Sequence, residues 1–222
     1  MDYQLVRSKR RTIAIHITQE AQVEVRAPYH VSRTLIDDFV RSKTAWITAK
    51  RKMMQERMQP RIDLREGSTL PILGQDVVLH YMEESSISLV DQKLLLPKVL
   101  ADQPQKALTA FFRETMRMLI TARAKWYAAQ MGVTYTALRI NSASTRWGSC
   151  SGKNSLNFSW RLIFADLPEI DYVVVHELAH LKHHDHSPEF WRIVEGILPD
   201  YKSRRQALAD LAKSSTALFW DK

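Results

Sequence analysis

Residues 173–191 read VVVHELAHLKHHDHSPEFW. The chain has eight histidines, and five of them, His176, His180, His183, His184 and His186, fall inside this stretch. On an α-helix, residues i and i+4 lie one turn apart on one face. His176 and His180 can therefore direct both imidazoles at one ion, with Glu177 beside the first and able to point to the ion's open side. This is the H-E-x-x-H arrangement of two ligands and a carboxylate base. Zinc takes nitrogen ligands at ~2.0–2.1 Å and, in catalytic sites, keeps a fourth position for water. The ion lowers that water's pKa toward ~7, where a carboxylate can take its proton. Val173–Val175 before the motif, and Leu178 and Leu181 within it, place the helix in a core rather than on a surface that carries incidental histidines. The β-branched valines disfavour helix, but the histidine spacing requires it.

The third ligand must come from chain that has turned back. His183 is seven residues from His176, about 10 Å along a continuing helix. Ligand atoms on one tetrahedral zinc lie only about 3.3 Å apart. Ser187-Pro188-Glu189 reads as an N-cap followed by proline in the first turn of a new helix. The chain therefore bends near His184–Ser187, with His186 in the bend. His186 is the expected third ligand, and Glu189 and Glu195 on the following helix are the alternatives. His183 and His184 read as residues at a helix end, where an imidazole suits the dipole, or as groups that hydrogen-bond substrate.

Working outward, Pro168 opens the metal-bearing helix, with Asp166 as its N-cap. Upstream, TALRINS and SLNFSW read as strands joined by the loop RWGSCSGKN. A long helix is expected over 105–131, with Leu108, Phe111, Phe112, Thr115, Leu119 and Trp126 as its apolar stripe and Gly132 as its stop. Three short runs, 76–83, 86–90 and 93–97, suggest a β-meander. Before them, 60–74 reads as turns around a short strand. At the N-terminus TIAIHIT (12–18) pairs with VEVRAP (23–28). One long basic helix is expected over 32–58, with Leu35, Phe39, Trp46 and Met53 inward. A last helix runs from near Asp200 to Leu211. The fold class is α+β, with a β-rich part over 1–103 and a catalytic part over 104–222.

At 222 residues the chain can bury a core as one domain or two small ones. A net charge of +8 favours anionic partners, nucleic acid or nucleotides among them. The single cysteine, Cys150, cannot close an internal disulfide, which fits a cytoplasmic location. Cys150 itself reads as a small buried residue rather than a ligand or nucleophile. No apolar run approaches the ~20 residues of a membrane span, and the basic N-terminus lacks the apolar core of a signal peptide.

The segment RWGSC followed by NF, then HELAH and HSPEFW, resembles the YgjP-like metallopeptidase family. These are zincin-type metal-dependent hydrolases, related more distantly to SprT-like proteins. RSKRRTIAIHI, VEVRAP and LPILGQDVVL extend the likeness toward the N-terminus. The resemblance implies a zincin-like catalytic part, with ligands at His176, His180 and His186 and Glu177 as the catalytic carboxylate. Metzincins share the six-residue step from His180 to His186 but have glycine where this chain has His183.

The expected function is a zinc-dependent hydrolase, a metallopeptidase, acting on a peptide or protein through metal-activated water. Another divalent metal could serve in place of zinc. Two alternatives stand beside this reading. One is a metal-dependent nucleoside triphosphate pyrophosphatase, for which Arg139, Arg146, Lys153 and Arg161 could hold phosphates. The other is a nucleic-acid-binding protein with a structural metal, using its basic surface. Arg146, His183, His184 and Tyr172 are candidates for contacts with substrate or its oxyanion. Arg146 could instead pin its own loop through backbone carbonyls.

Overall fold

The computed structural model describes residues 2–18, 21–57 and 64–214. They form an α+β protein of two compact units, which divide near residue 61. The strands over 69–97 group with the histidine-bearing helices in the second unit.

In the first unit, β1 (Gln4–Ser8), β2 (Ala14–Ile17) and β3 (Val23–Pro28) form a sheet of order β1-β3-β2. β2 runs antiparallel to β3, as expected, and β1 adds a parallel strand on the other side. Val23, Val25 and Ala27 alternate inward from the central strand and are buried. Arg7 fixes the exit from β3 by donating to the carbonyls of Pro28 (2.7 Å), Tyr29 (3.1 Å) and Val31 (2.8 Å). Ser32 then caps α1 (Arg33–Ser42) by accepting from the Leu35 N–H.

The single helix expected here is two. Lys43 leaves helical geometry (φ −106°, ψ 11°), and α2 (Thr44–Arg57) follows; Met58 lies outside the described residues. The buried face is also displaced by one residue from the expected one. Ile36, Val40 and Ile47 pack with Val23, Val25 and Ala27, while Leu35 and Trp46 are 56% and 49% exposed. Two apolar stripes lie side by side in this sequence, and the β-branched one is buried with the sheet residues.

The second unit opens with β4 (Thr69–Ile72), β5 (Gln75–Met82), β6 (Ser88–Val90) and β7 (Lys93–Pro97). The expected meander is not formed: the order is β4-β5-β7-β6, with β7 parallel to β5 and β6 at the edge. The β4–β5 turn docks on the chain that leads to the helix bearing His176 and Glu177. Leu73 N–H donates to Ile163 O at 2.8 Å. Gly74 lies so close to Asp166 that a Cβ there would come within 2.8 Å of its carboxylate.

Helix α3 (Pro104–Met131) ends at Gly132, whose φ of 60° is the left-handed stop expected of it. Its buried stripe steps by fours through Leu108, Phe112, Met116, Ile120, Ala124 and Ala128. Trp126, expected inward, is 57% exposed. Next come β8 (Ala137–Asn141), β9 (Gly148–Cys150) and β10 (Ser155–Ser159), in the order β8-β10-β9. The loop expected between two strands thus contains a third, antiparallel to β10 and at the sheet edge. A 3₁₀ turn at Trp160–Phe164 packs Trp160 and Phe164 around Phe112 at ring distances of about 6 Å.

Three helices complete the unit: α4 (Leu167–Ala179), α5 (Pro188–Ile197) and α6 (Tyr201–Ser214). Val173–Val175 are helical and buried, so core burial outweighs their weak propensity. Asp166 occupies the N-cap position of α4 but makes no side-chain capping bond. Asp171 on α4 receives both Nε (2.5 Å) and Nη2 of Arg123 on α3. Its carboxylate is 8% exposed, against 36% for the arginine. Stranding the more buried partner costs more. Arg123→Ala should therefore lower unfolding stability by about 3 kcal/mol, and Asp171→Ala by less, as read from urea midpoints.

Candidate metal centre

Helix α4 ends one residue before the H-E-x-x-H motif does: Ala179 is its last residue and His180 its C-cap. The helix does not continue to His183, so that residue shares no helical face with His176. Instead the chain turns at once, and the His183 carbonyl accepts from His180 Nδ1 at 3.0 Å. This bond leaves His180 Nε2 as the free lone-pair nitrogen and fixes the ring. The turn brings His186 back over the helix end. Ser187 then caps α5, its hydroxyl accepting from the Phe190 N–H, as the Ser-Pro-Glu pattern suggested.

The result is a cluster in which one ring nitrogen of each of His176, His180 and His186 lies within 4.8 Å of the other two. His176 Nε2 and His186 Nε2 are 3.1 Å apart. Two lone-pair nitrogens that close need a proton or a cation between them, and the spacing is near the about 3.3 Å separating two ligands of one tetrahedral zinc. Phe190 and Trp191 on α5 back the rings: Phe190 lies 4.6–4.9 Å from all three, and Trp191 is stacked on His186 at 5.8 Å. Burial, and then the neighbouring imidazoles, pull His176 down to about 3, and burial also lowers His180. Both favour the neutral ring, the form that binds a metal. His176 Nδ1 is buried without a hydrogen-bond partner. Glu189 pairs with Arg192 and Glu195 lies near Lys202, and neither belongs to the cluster.

Glu177 packs against β9. Its carboxylate accepts a hydrogen bond from the Cys150 N–H. The fit is tight at Gly148, where a Cβ would stand 2.6 Å from Oε1 and 2.8 Å from Cγ of Glu177; only glycine leaves room for the carboxylate. Burial pushes Glu177 up to about 8, opposed by the charge of Arg146 and the Cys150 bond.

The remaining predicted residues separate clearly. Arg146 is exposed, and its charge reaches Glu177. The loop-pinning role falls to Arg161, which is buried and donates to the carbonyls of Ser142 (2.7 Å) and Ala143 (3.4 Å). That use removes Arg161 from the set of four phosphate-holding cations, whose other members, Arg139 and Lys153, are exposed. Tyr172 is buried beneath His176, ring to ring at 5.7 Å. His184 is exposed and His183 half-buried, and neither ring enters the cluster. Cys150 is half-buried, its thiol raised by burial and then by the charge of Glu177. Gly148 was not singled out in the sequence; its place two residues after Arg146 in RWGSC is the only signal it offers.

In metal-free protein Glu177 binds a proton more tightly when folded than the about 4.3 of an exposed glutamate allows. Folding then takes up a proton between about 4.3 and about 8, so this residue's contribution to stability is lost as pH rises through that window. The opposite effect of His176, which costs stability as pH falls below about 6.5, is common to wild type and Glu177→Gln. In EDTA, the variant's thermal midpoint should therefore gain on the wild type's as pH goes from about 5 to about 8.

No curated protein matches the chain in sequence. Two solved structures align with 41% of it. The metallopeptidase zymogen abylysin of Pyrococcus abyssi is 24% identical, with 92% of its own chain covered and a TM-score of 0.39. The metallopeptidase zymogen jannalysin of Methanocaldococcus jannaschii is 15% identical, with 94% covered and a TM-score of 0.38. The YgjP-like metallopeptidase domain matches residues 11–211, a span that holds all three clustered histidines and Glu177 and covers most of both compact units, and the chain belongs to that family.

Proposed function

We propose that the protein is a zinc-dependent peptidase in which His176, His180 and His186 hold the ion and Glu177 is the general base. The observation that carries this reading is the convergence of three ring nitrogens within 4.8 Å beside a buried carboxylate on the same helix. All-imidazole donors at this spacing suit zinc, with a fourth position left for water. Zinc bound there supplies Lewis acidity, which makes a water acidic near neutral pH.

The chain's own residues do the rest. Glu177 takes the water's proton and delivers it to the departing amine nitrogen, so one group serves first as base and then as acid. Burial raises its proton affinity, and a cation held by the neighbouring imidazoles opposes that rise and favours the ionised, base form. Cys150 N–H and the close approach at Gly148 keep the carboxylate in one orientation. The His183 carbonyl holds His180 in its ligating tautomer. Tyr172, Phe190 and Trp191 surround His176 and restrict water there.

Family membership supports a peptide or protein substrate. The nucleotide reading loses Arg161 to the loop it braces, and the nucleic-acid reading rests on net charge alone. Among the described residues, no helix is long and apolar enough to cross a membrane.

Casein and quenched peptides offered to zinc-loaded protein test the reading. Glu177→Gln should lower turnover by roughly 10²–10⁴-fold while it keeps about one zinc per chain. His186→Ala should lose both zinc and turnover. Full activity in Glu177→Gln, or unchanged zinc content in His186→Ala, would overturn it.

A further inference from the structure

The loop between β8 and β9 is braced far more heavily than its exposed position requires. Arg161 donates to the carbonyls of Ser142 and Ala143. The Ser159 hydroxyl donates to Ala143 O at 2.7 Å. The Ala143 N–H returns to the Asn141 side chain at 3.0 Å, and Arg113 donates to Ile140 O at 3.0 Å. At the far end, Ser159 N–H donates to Trp147 O at 2.8 Å. Between these anchors stands Arg146, exposed. Among the described residues it makes no hydrogen bond or ion pair, and its guanidinium keeps all five donors for a ligand.

Its location follows from the backbone. Gly148 lies in van der Waals contact with the Glu177 carboxylate, and Arg146 is two residues earlier, at most about 7 Å along the chain. An arginine side chain at that separation is long enough to reach the Glu177 carboxylate, and its charge acts on it. The other cation acting on the cluster, Arg205, lies over the Trp191 ring at 5.2 Å and is thus already engaged. An uncommitted guanidinium carried on a braced loop beside a general base recognises an anion, and a planar carboxylate matches its fork.

We propose that Arg146 is a specificity-determining residue that binds a substrate carboxylate next to the scissile bond, either an acidic side chain or the chain's own C-terminus. This rests on the peptidase reading above and names the substrate class of that site. Arg146 sits near the base rather than out along the sheet, so the anion it binds lies within a residue or so of the bond that breaks.

The test uses zinc-loaded protein and matched peptides that differ only in Glu, Gln or Lys beside the cleaved bond. A second pair ends one residue past that bond with a free or an amidated C-terminus. Wild type should prefer the carboxylate form by roughly tenfold to a hundredfold in kcat/KM, chiefly through KM. The pair that shows the preference identifies the carboxylate's source. Arg146→Ala should bring the ratio to about one, Arg146→Lys should keep part of it, and Arg146→Glu should reverse it toward lysine. Equal losses on Glu and Gln peptides in Arg146→Ala, or no preference in wild type, would overturn the proposal.

Binding of the same peptides to zinc-loaded Glu177→Gln, with and without Arg146→Ala, separates the two claims. If wild type cleaves nothing but binding still favours the carboxylate through Arg146, the peptidase reading fails and the anion subsite stands. If a nucleoside triphosphate binds through Arg146 more tightly than any carboxylate peptide, the peptide assignment is wrong.

Discussion

Glu177 and His176 are neighbours on a helix that is buried on nearly every other side, and holding them there is the constraint around which the larger unit is arranged. An ionised carboxylate taken out of water costs several kcal/mol unless partners are supplied. Here the partners come from β9: the Cys150 N–H and the open space at Gly148, with the charge of Arg146 acting from the loop before it. Opposed to them, burial still wins and pushes Glu177 up to about 8. On the imidazole side, burial keeps His176 neutral, which is the form a cation requires.

Seen this way, the elements around α4 have distinct tasks. α3 holds its flank through the Arg123–Asp171 pair and an aromatic cluster of Phe112, Trp160 and Phe164. The β4–β5 turn braces its start. α5, capped by Ser187, sets Phe190 and Trp191 behind the rings. The early stop at His180 matters as much as the helix itself, because a further turn of helix would carry the chain away from the two imidazoles instead of folding His186 back over them.

The histidine geometry was legible because it depends on local spacing: one helical turn between His176 and His180, then a Ser-Pro helix start that forces the bend. The helix at Val173–Val175 was readable only through that spacing, since propensity pointed the other way. What could not be read depends on distant partners. β9 is three residues long and exists because β10 pairs with it. Arg161 finds its carbonyl partners 18 and 19 residues upstream, so nothing local distinguishes it from the exposed Arg146. The parallel placement of β7 on β5 and the choice of Ile36, Val40 and Ile47 over Leu35 and Trp46 were both settled by packing between elements. Local alternation and periodicity fit either outcome.

In the proposed zinc site the role of His186 carries the most weight, since it alone comes from beyond the helix and its cap. X-ray absorption at the zinc edge of zinc-loaded protein measures the donor set directly. Three imidazole nitrogens and one oxygen at about 2.0–2.1 Å are expected, falling to two imidazoles in His186→Ala. A sulfur shell near about 2.3 Å, or an unchanged imidazole count in His186→Ala, would contradict it.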